Sequence, residues 1–61
     1  MSRFLRLPQV LERTGLKRTT LYNMMARGEF VRPVKISPRL NGWPESDVER
    51  FIAARIEARA A

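Results

Sequence analysis

The sequence has no cysteine and no histidine. Without cysteine there is no disulfide and no thiolate metal site. Without histidine the commonest general base, the commonest metal ligand and the usual pH switch are missing. No Gly-rich phosphate loop is present. The acids at Glu45, Asp47 and Glu49 stand where a helix start wants negative charge, so they do not read as a catalytic pair. These absences argue against an enzyme and leave no expected metal, cofactor or small-molecule ligand. No apolar run approaches the roughly 18 residues that span a membrane, and no apolar h-region follows Arg3 and Arg6, as a secretory signal would require. A chain without cysteine fits a reducing cytoplasm.

Acidic residues are scarce and unevenly placed. Residues 1–39 hold nine of the twelve cations against only Glu12 and Glu29, a net of +7, whereas residues 40–61 hold three cations and four acids, a net of −1. A basic part joined to a near-neutral part is the electrostatic footprint of a protein that meets a polyanion. Sixty-one residues make a single domain, here 1–61; a chain this size buries only about 60% of its unfolded surface.

Pro8, Gly15, Gly28, Pro33, Pro38, Gly42 and Pro44 divide the chain into short elements. LPQVLERTG predicts a helix of about two turns, with proline in the first turn and Gly15 past its end. KRTTLYNMMARG predicts a second helix. Its Leu21, Met24 and Met25 follow the i, i+3, i+4 rule, and Gly28 suits the position after its C-cap. Arg18, Thr19, Tyr22 and Asn23 fall off that apolar face. FVRPVKI, the turn-forming SPRLNG and the GW that follows predict a short β-hairpin, residues 33–36 pairing with 41–43. Pro33 and Pro38 each remove a ladder donor, so its strands must be short or at an edge. PESDVERFIAARIEARAA predicts a helix over about 45–58, with Ser46 and Glu49 spaced as a capping box and Pro44 as a rival start. The expected core is Leu5, Leu7, Val10, Leu11, Leu16, Leu21, Met25, Phe30, Val34, Trp43, Val48, Phe51 and Ile52, with Met24 filling gaps. Trp43 could also serve as a stacking platform for a base, although beside a turn and a helix start it fits a core role better.

The order helix, Gly-containing turn, cationic helix, cationic hairpin, neutral helix is that of a winged helix-turn-helix: mainly α, with a small β-hairpin. In a helix-turn-helix the second helix lies in the major groove and its N-terminal residues reach base edges. Lys17 and Arg18 stand at the positive end of the helix dipole, where cations are disfavoured unless something external offsets them; phosphates would do so. Thr19 and Thr20 can bond phosphates or touch a thymine methyl, and Thr20 can equally satisfy backbone donors. Asn23 suits adenine, or is solvated surface; Tyr22 can donate to a phosphate. Arg27 closes the same helix. Arg32, Lys35 and Arg39 line the hairpin, with Arg39 at its tip. There an arginine can enter a minor groove, or the charges can simply protect an edge strand. The expected partner is double-stranded DNA, with self-association on adjacent sites and Ile56 as the exposed apolar candidate for it. A basic protein-interaction module of anti-repressor type is the other reading.

RLPQVLERTGLKRTTLYNMMARGEFVRPVKI, followed by GWPESDVERFIAARIEAR, resembles the AlpA family of phage-type transcriptional regulators. These are small winged helix-turn-helix proteins related to excisionases and, more distantly, to MerR DNA-binding domains. The resemblance covers residues 4–59 and is carried most specifically by TGLKRTTLY, ARGEFVRPVKI and the GW. It implies a sequence-specific DNA binder of a mobile element, one that acts on integrase expression or as an excision factor that bends DNA. It also implies reading residues at Arg18, Thr19, Tyr22 and Asn23 and in the wing at Lys35 and Arg39. Two positions depart from the family pattern: Lys17 stands in place of the serine that caps the second helix, and Val31 in place of a proline.

Overall fold

Helix α1 (Leu7–Thr14) starts where Leu7 and Pro8 follow an extended Arg6, whose N–H donates to Gln9 Oε1 at 2.8 Å. It stops at Gly15, which takes φ 74° and donates its N–H to the Leu11 carbonyl. Only glycine takes that left-handed conformation without steric cost. The Thr14 hydroxyl donates to the Val10 carbonyl at 2.8 Å and accepts the Leu16 N–H at 3.3 Å, which ties the turn down. Helix α2 (Arg18–Ala26) follows after only three residues. It ends in a Schellman motif, in which Gly28 N–H bonds the Met25 carbonyl and Glu29 N–H the Met24 carbonyl. Both helix ends match the expectation from the glycines.

The computed structural model describes residues 3–60; the ends of the expected 1–61 domain, Met1, Ser2 and Ala61, lie outside the described residues. The wing is a hairpin of β2 (Val34–Ser37) and β3 (Leu40–Pro44), one residue later on its first strand than the sequence predicts and longer on its second. A further strand, β1 (Phe4–Leu5), pairs antiparallel with β3, giving a three-stranded sheet of order β1-β3-β2. Helix α3 (Glu45–Ala60) follows β3 directly. The whole is a winged helix-turn-helix, mainly α, as the sequence predicts.

The core is Leu5, Val10, Leu21, Met24, Met25, Phe30, Trp43 and Val48. Leu7, Leu11, Leu16, Val31, Phe51 and Ile52 pack half-buried around it. Phe30 and Phe51 meet edge to face at 4.6 Å between centroids. Trp43 is 3% exposed and donates its indole N–H to the Val31 carbonyl at 2.9 Å. It is therefore a core residue and a tie to the loop before the wing, with no face free to stack on a base.

Val34 corrects an expectation. It is 41% exposed and outside the core. Its register partner is Gly42, and neighbouring residues along a strand point to opposite faces. Trp43 points inward, so Gly42 and Val34 point outward. The space above Gly42 is filled: a Cβ there would stand 2.6 Å from Ile36 Cδ1 and 3.2 Å from the Leu5 carbonyl oxygen. The capping box of Ser46 and Glu49 is a second correction. Ser46 lies inside α3, and its Glu49 partner binds Arg13 instead. The first N–H of α3, from Glu45, donates to the Arg3 carbonyl at 2.8 Å.

Candidate nucleic-acid interface

Helix α2 sets the candidate reading face. At about 100° per residue, Leu21, Met24 and Met25 occupy one side, and all three are buried. Thr19, Asn23 and Ala26 lie opposite them, along the crest that points away from the core. Arg18 and Tyr22 lie on one flank of that crest, Thr20 and Arg27 on the other. All seven are exposed, Tyr22 at 50%. The structure thus brings six sequence-predicted residues of α2 and its end onto one outward surface and sorts them. Thr19 and Asn23 stand on the crest; Arg18 and Tyr22 stand on one flank and Thr20 and Arg27 on the other. Ala26 was not singled out by sequence, though its i+3 spacing from Asn23 could have found it.

Lys17 is the N-cap of α2, with an extended backbone of φ −81° and ψ 155° and no side-chain cap bond. A lysine has no acceptor to offer. Replacing Lys17 with serine is expected to raise thermal stability by about 1 kcal/mol and, if the cation meets a phosphate, to weaken duplex binding. Thermal melts and anisotropy titrations of the same variant check both halves.

The wing turn consists of Pro38 and Arg39, so Arg39 is at the tip. Non-glycine residues with positive φ are absent among the described residues, and the turn types usual for two-residue hairpins need one. The hairpin closes instead with a register shift between Lys35 and Ser37, a β-bulge around Ile36. A bulge bends a strand and increases its local twist. Lys35 and Arg39 are exposed on this arm. Arg32 is exposed as well but precedes β2, beside α2 rather than on the hairpin.

The carboxylates sort the cations into two groups. Arg13 on α1 holds Glu45 at 2.5 Å and also pairs with Glu49, both on α3, and Arg3 approaches Glu45 at 3.7 Å. The Glu45 hydrogen bond raises the Arg13 pKa above its ordinary value against an opposing contribution from burial; the charges of Glu45 and Glu49 add to it. Arg50 pairs with Asp47 at 3.1 Å. Of the site candidates Arg27 alone has a carboxylate partner among the described residues, Glu29 at 3.4 Å. That pair is exposed and weak. Lys17, Arg18, Arg32, Lys35 and Arg39 have none among the described residues. Glu45 and Glu49 of α3 thus tie α1 to α3 through Arg13. The described residues contain no group of acids or other ligands that could hold a metal, and no helix long and apolar enough to cross a membrane.

A family model described as "Prophage CP4-57 regulatory protein (AlpA)" matches residues 3–56. The chain belongs to the AlpA family. Its match takes in both helices of the helix-turn-helix, the whole wing and most of α3. A relative, "Uncharacterized protein ORF88" of Enterobacteria phage P4, is 39% identical over 57 residues, which is 93% of this chain and 65% of the relative. The chain thus spans just under two thirds of that phage protein. No solved structure matches the chain significantly. The AlpA family is regulatory, as its description states.

Proposed function

We propose that this protein is a sequence-specific DNA-binding regulator of phage or mobile-element type that acts on integrase expression or on excision. One observation carries the reading: Thr19 and Asn23 on the crest of α2, flanked by Arg18 and Tyr22, with Lys35 and Arg39, which have no carboxylate partner among the described residues, on an exposed arm beyond. In this reading α2 lies in the major groove with Thr19 and Asn23 against base edges. Lys17, Arg18, Thr20, Tyr22, Arg27 and Arg32 hold the two backbones, and Arg39 enters or skirts the adjacent minor groove. Phosphate contacts supply affinity, and the crest supplies sequence choice.

A single module of this size covers roughly 600–1,000 Å² of interface. Useful affinity then calls for copies on adjacent sites, with Ile56, 56% exposed on α3, as the apolar contact between them. Footprinting on DNA flanking the protein's own gene and any neighbouring integrase gene tests the proposal. Protected repeats beside an attachment site are expected for excision control, and a promoter-proximal site for transcriptional control. The logarithm of the affinity should fall with log salt with a slope of about 0.9 per phosphate contact. A basic protein-interaction module would instead leave every duplex unprotected.

A further inference from the structure

We infer that the groove between α2 and the segment leading into the wing seats one sugar–phosphate unit of the bound duplex, an inference that rests on the DNA-binding reading above. The groove is lined by Tyr22, Met25, Ala26, Arg32 and Pro33 and has a volume of about 320 Å³. That is at the small end of the range for ligand sites, about 300–1,000 Å³. Its floor is apolar, from Met25, Ala26 and Pro33. Its rims are a phenol and a guanidinium. Tyr22 makes no side-chain hydrogen bond, and Arg32 has no carboxylate partner, among the described residues.

Position and chemistry agree on the occupant. In a duplex one backbone separates each major groove from the adjacent minor groove. With α2 in the former and the Arg39 tip at the latter, that backbone must pass between helix and wing, across the Tyr22 and Arg18 flank. A deoxyribose presents C–H groups to an apolar floor, and its phosphate presents acceptors to a phenol O–H and a guanidinium. An isolated base fits less well, because Tyr22 is the one aromatic wall and stacking needs its ring face. An acidic protein segment would need cations along its length rather than one arginine over an apolar floor.

The groove is also held in shape. The Trp43 indole anchors the Val31 carbonyl, the residue before Arg32, and Pro33 fixes the backbone after it. The seat therefore sets the spacing between crest and wing tip, and with it the register in which bases are read. Trp43 acts here as a positioning residue.

The test is a scan of the footprinted duplex with single neutral methylphosphonates, read by fluorescence anisotropy for wild type and for Arg32→Ala. At one phosphate the wild type should lose about tenfold in affinity, the worth of a hydrogen bond to a charged group. Arg32→Ala should show no further loss there beyond about twofold, while both respond alike at every other phosphate. Ala26→Leu fills the groove and leaves both rims; it should weaken binding to the footprinted duplex. Arg32 and Ala26 are exposed, so both variants should melt as the wild type does. Additive effects of Arg32→Ala at every phosphate, or wild-type affinity in Ala26→Leu, would overturn the seat and leave the DNA reading standing. Failure of the wild type to bind any duplex removes both, and shows before any variant is compared.

Discussion

Arg18→Ala is expected to weaken binding to the cognate duplex by at least about tenfold, and Asn23→Ala to remove about 1–3 kcal/mol of preference for the cognate site. The two effects should differ in kind. Arg18 is on the wing-side flank at the positive end of α2, so its loss removes a phosphate contact. Affinity for every sequence should drop, and the slope of log affinity against log salt should shrink by about 0.9. Asn23 lies on the crest, so its loss should spare non-specific binding and the salt slope while flattening the difference between cognate and altered sites. Arg55→Ala is the control. Its guanidinium lies 5.1 Å from the centre of the Phe51 ring on α3, away from the crest, so it should cost up to about 1 kcal/mol of stability and leave affinity unchanged. Anisotropy titrations at three salt concentrations, on cognate and scrambled duplexes, separate these outcomes. Wild-type affinity in Arg18→Ala would mean that this flank of α2 does not meet the DNA backbone.

What the sequence made legible was local. The apolar stripe of Leu21, Met24 and Met25 set the orientation of α2, and with it which of Arg18, Thr19, Tyr22 and Asn23 face away from the core. Gly15 and Gly28 marked helix ends because a left-handed residue is needed there, at φ 74° in each case. Pro38 and Arg39 could be placed at the wing tip from turn chemistry. Non-local features were not legible. Strand β1 is two residues long and exists only because Phe4 and Leu5 meet Pro44 and Trp43, some 40 positions away; two residues carry no periodicity. The same pairing across distance fixes which side of β3 faces inward, and so decides that Val34 is outside. The Arg13 tie to Glu45 and Glu49 joins α1 to α3 and gives no pattern within either helix. With those acids engaged by Arg13, the cations Lys17, Arg18, Lys35 and Arg39 have no carboxylate partner among the described residues.

The apolar outer face of the sheet was equally hidden. Phe4, Val34 and Ile36 are 48%, 41% and 37% exposed and gather around Gly42, where the absence of a side chain lets Ile36 and Phe4 approach. No single strand shows this patch, since its members come from β1, the start of β2 and the bulge. It follows from the register alone.

Trp43→Ala is expected to remove much of the protein's stability, lowering its melting temperature sharply. Removing a buried aromatic costs about 3–5 kcal/mol, whereas a domain of this length has a total stability of roughly 3–9 kcal/mol at 0.05–0.15 kcal/mol per residue. Trp43 sits at the meeting point of β3 with β1, between Leu5 across the sheet and the Val31 carbonyl, so its loss would open the core and release the loop together. Trp43→Phe separates these two roles. It keeps an aromatic body of smaller volume but leaves the Val31 carbonyl without its donor, at a cost of about 1–3 kcal/mol for an unsatisfied group, and the domain should remain folded with a lowered melting temperature. If the loop anchor matters for binding, Trp43→Phe should also weaken binding to all duplexes at a temperature where it is fully folded, and should do so without further loss when combined with Arg32→Ala. Circular dichroism melts followed by titrations below the transition decide it. A Trp43→Phe protein that is destabilised but binds with full affinity would confine Trp43 to the core and detach the loop from recognition.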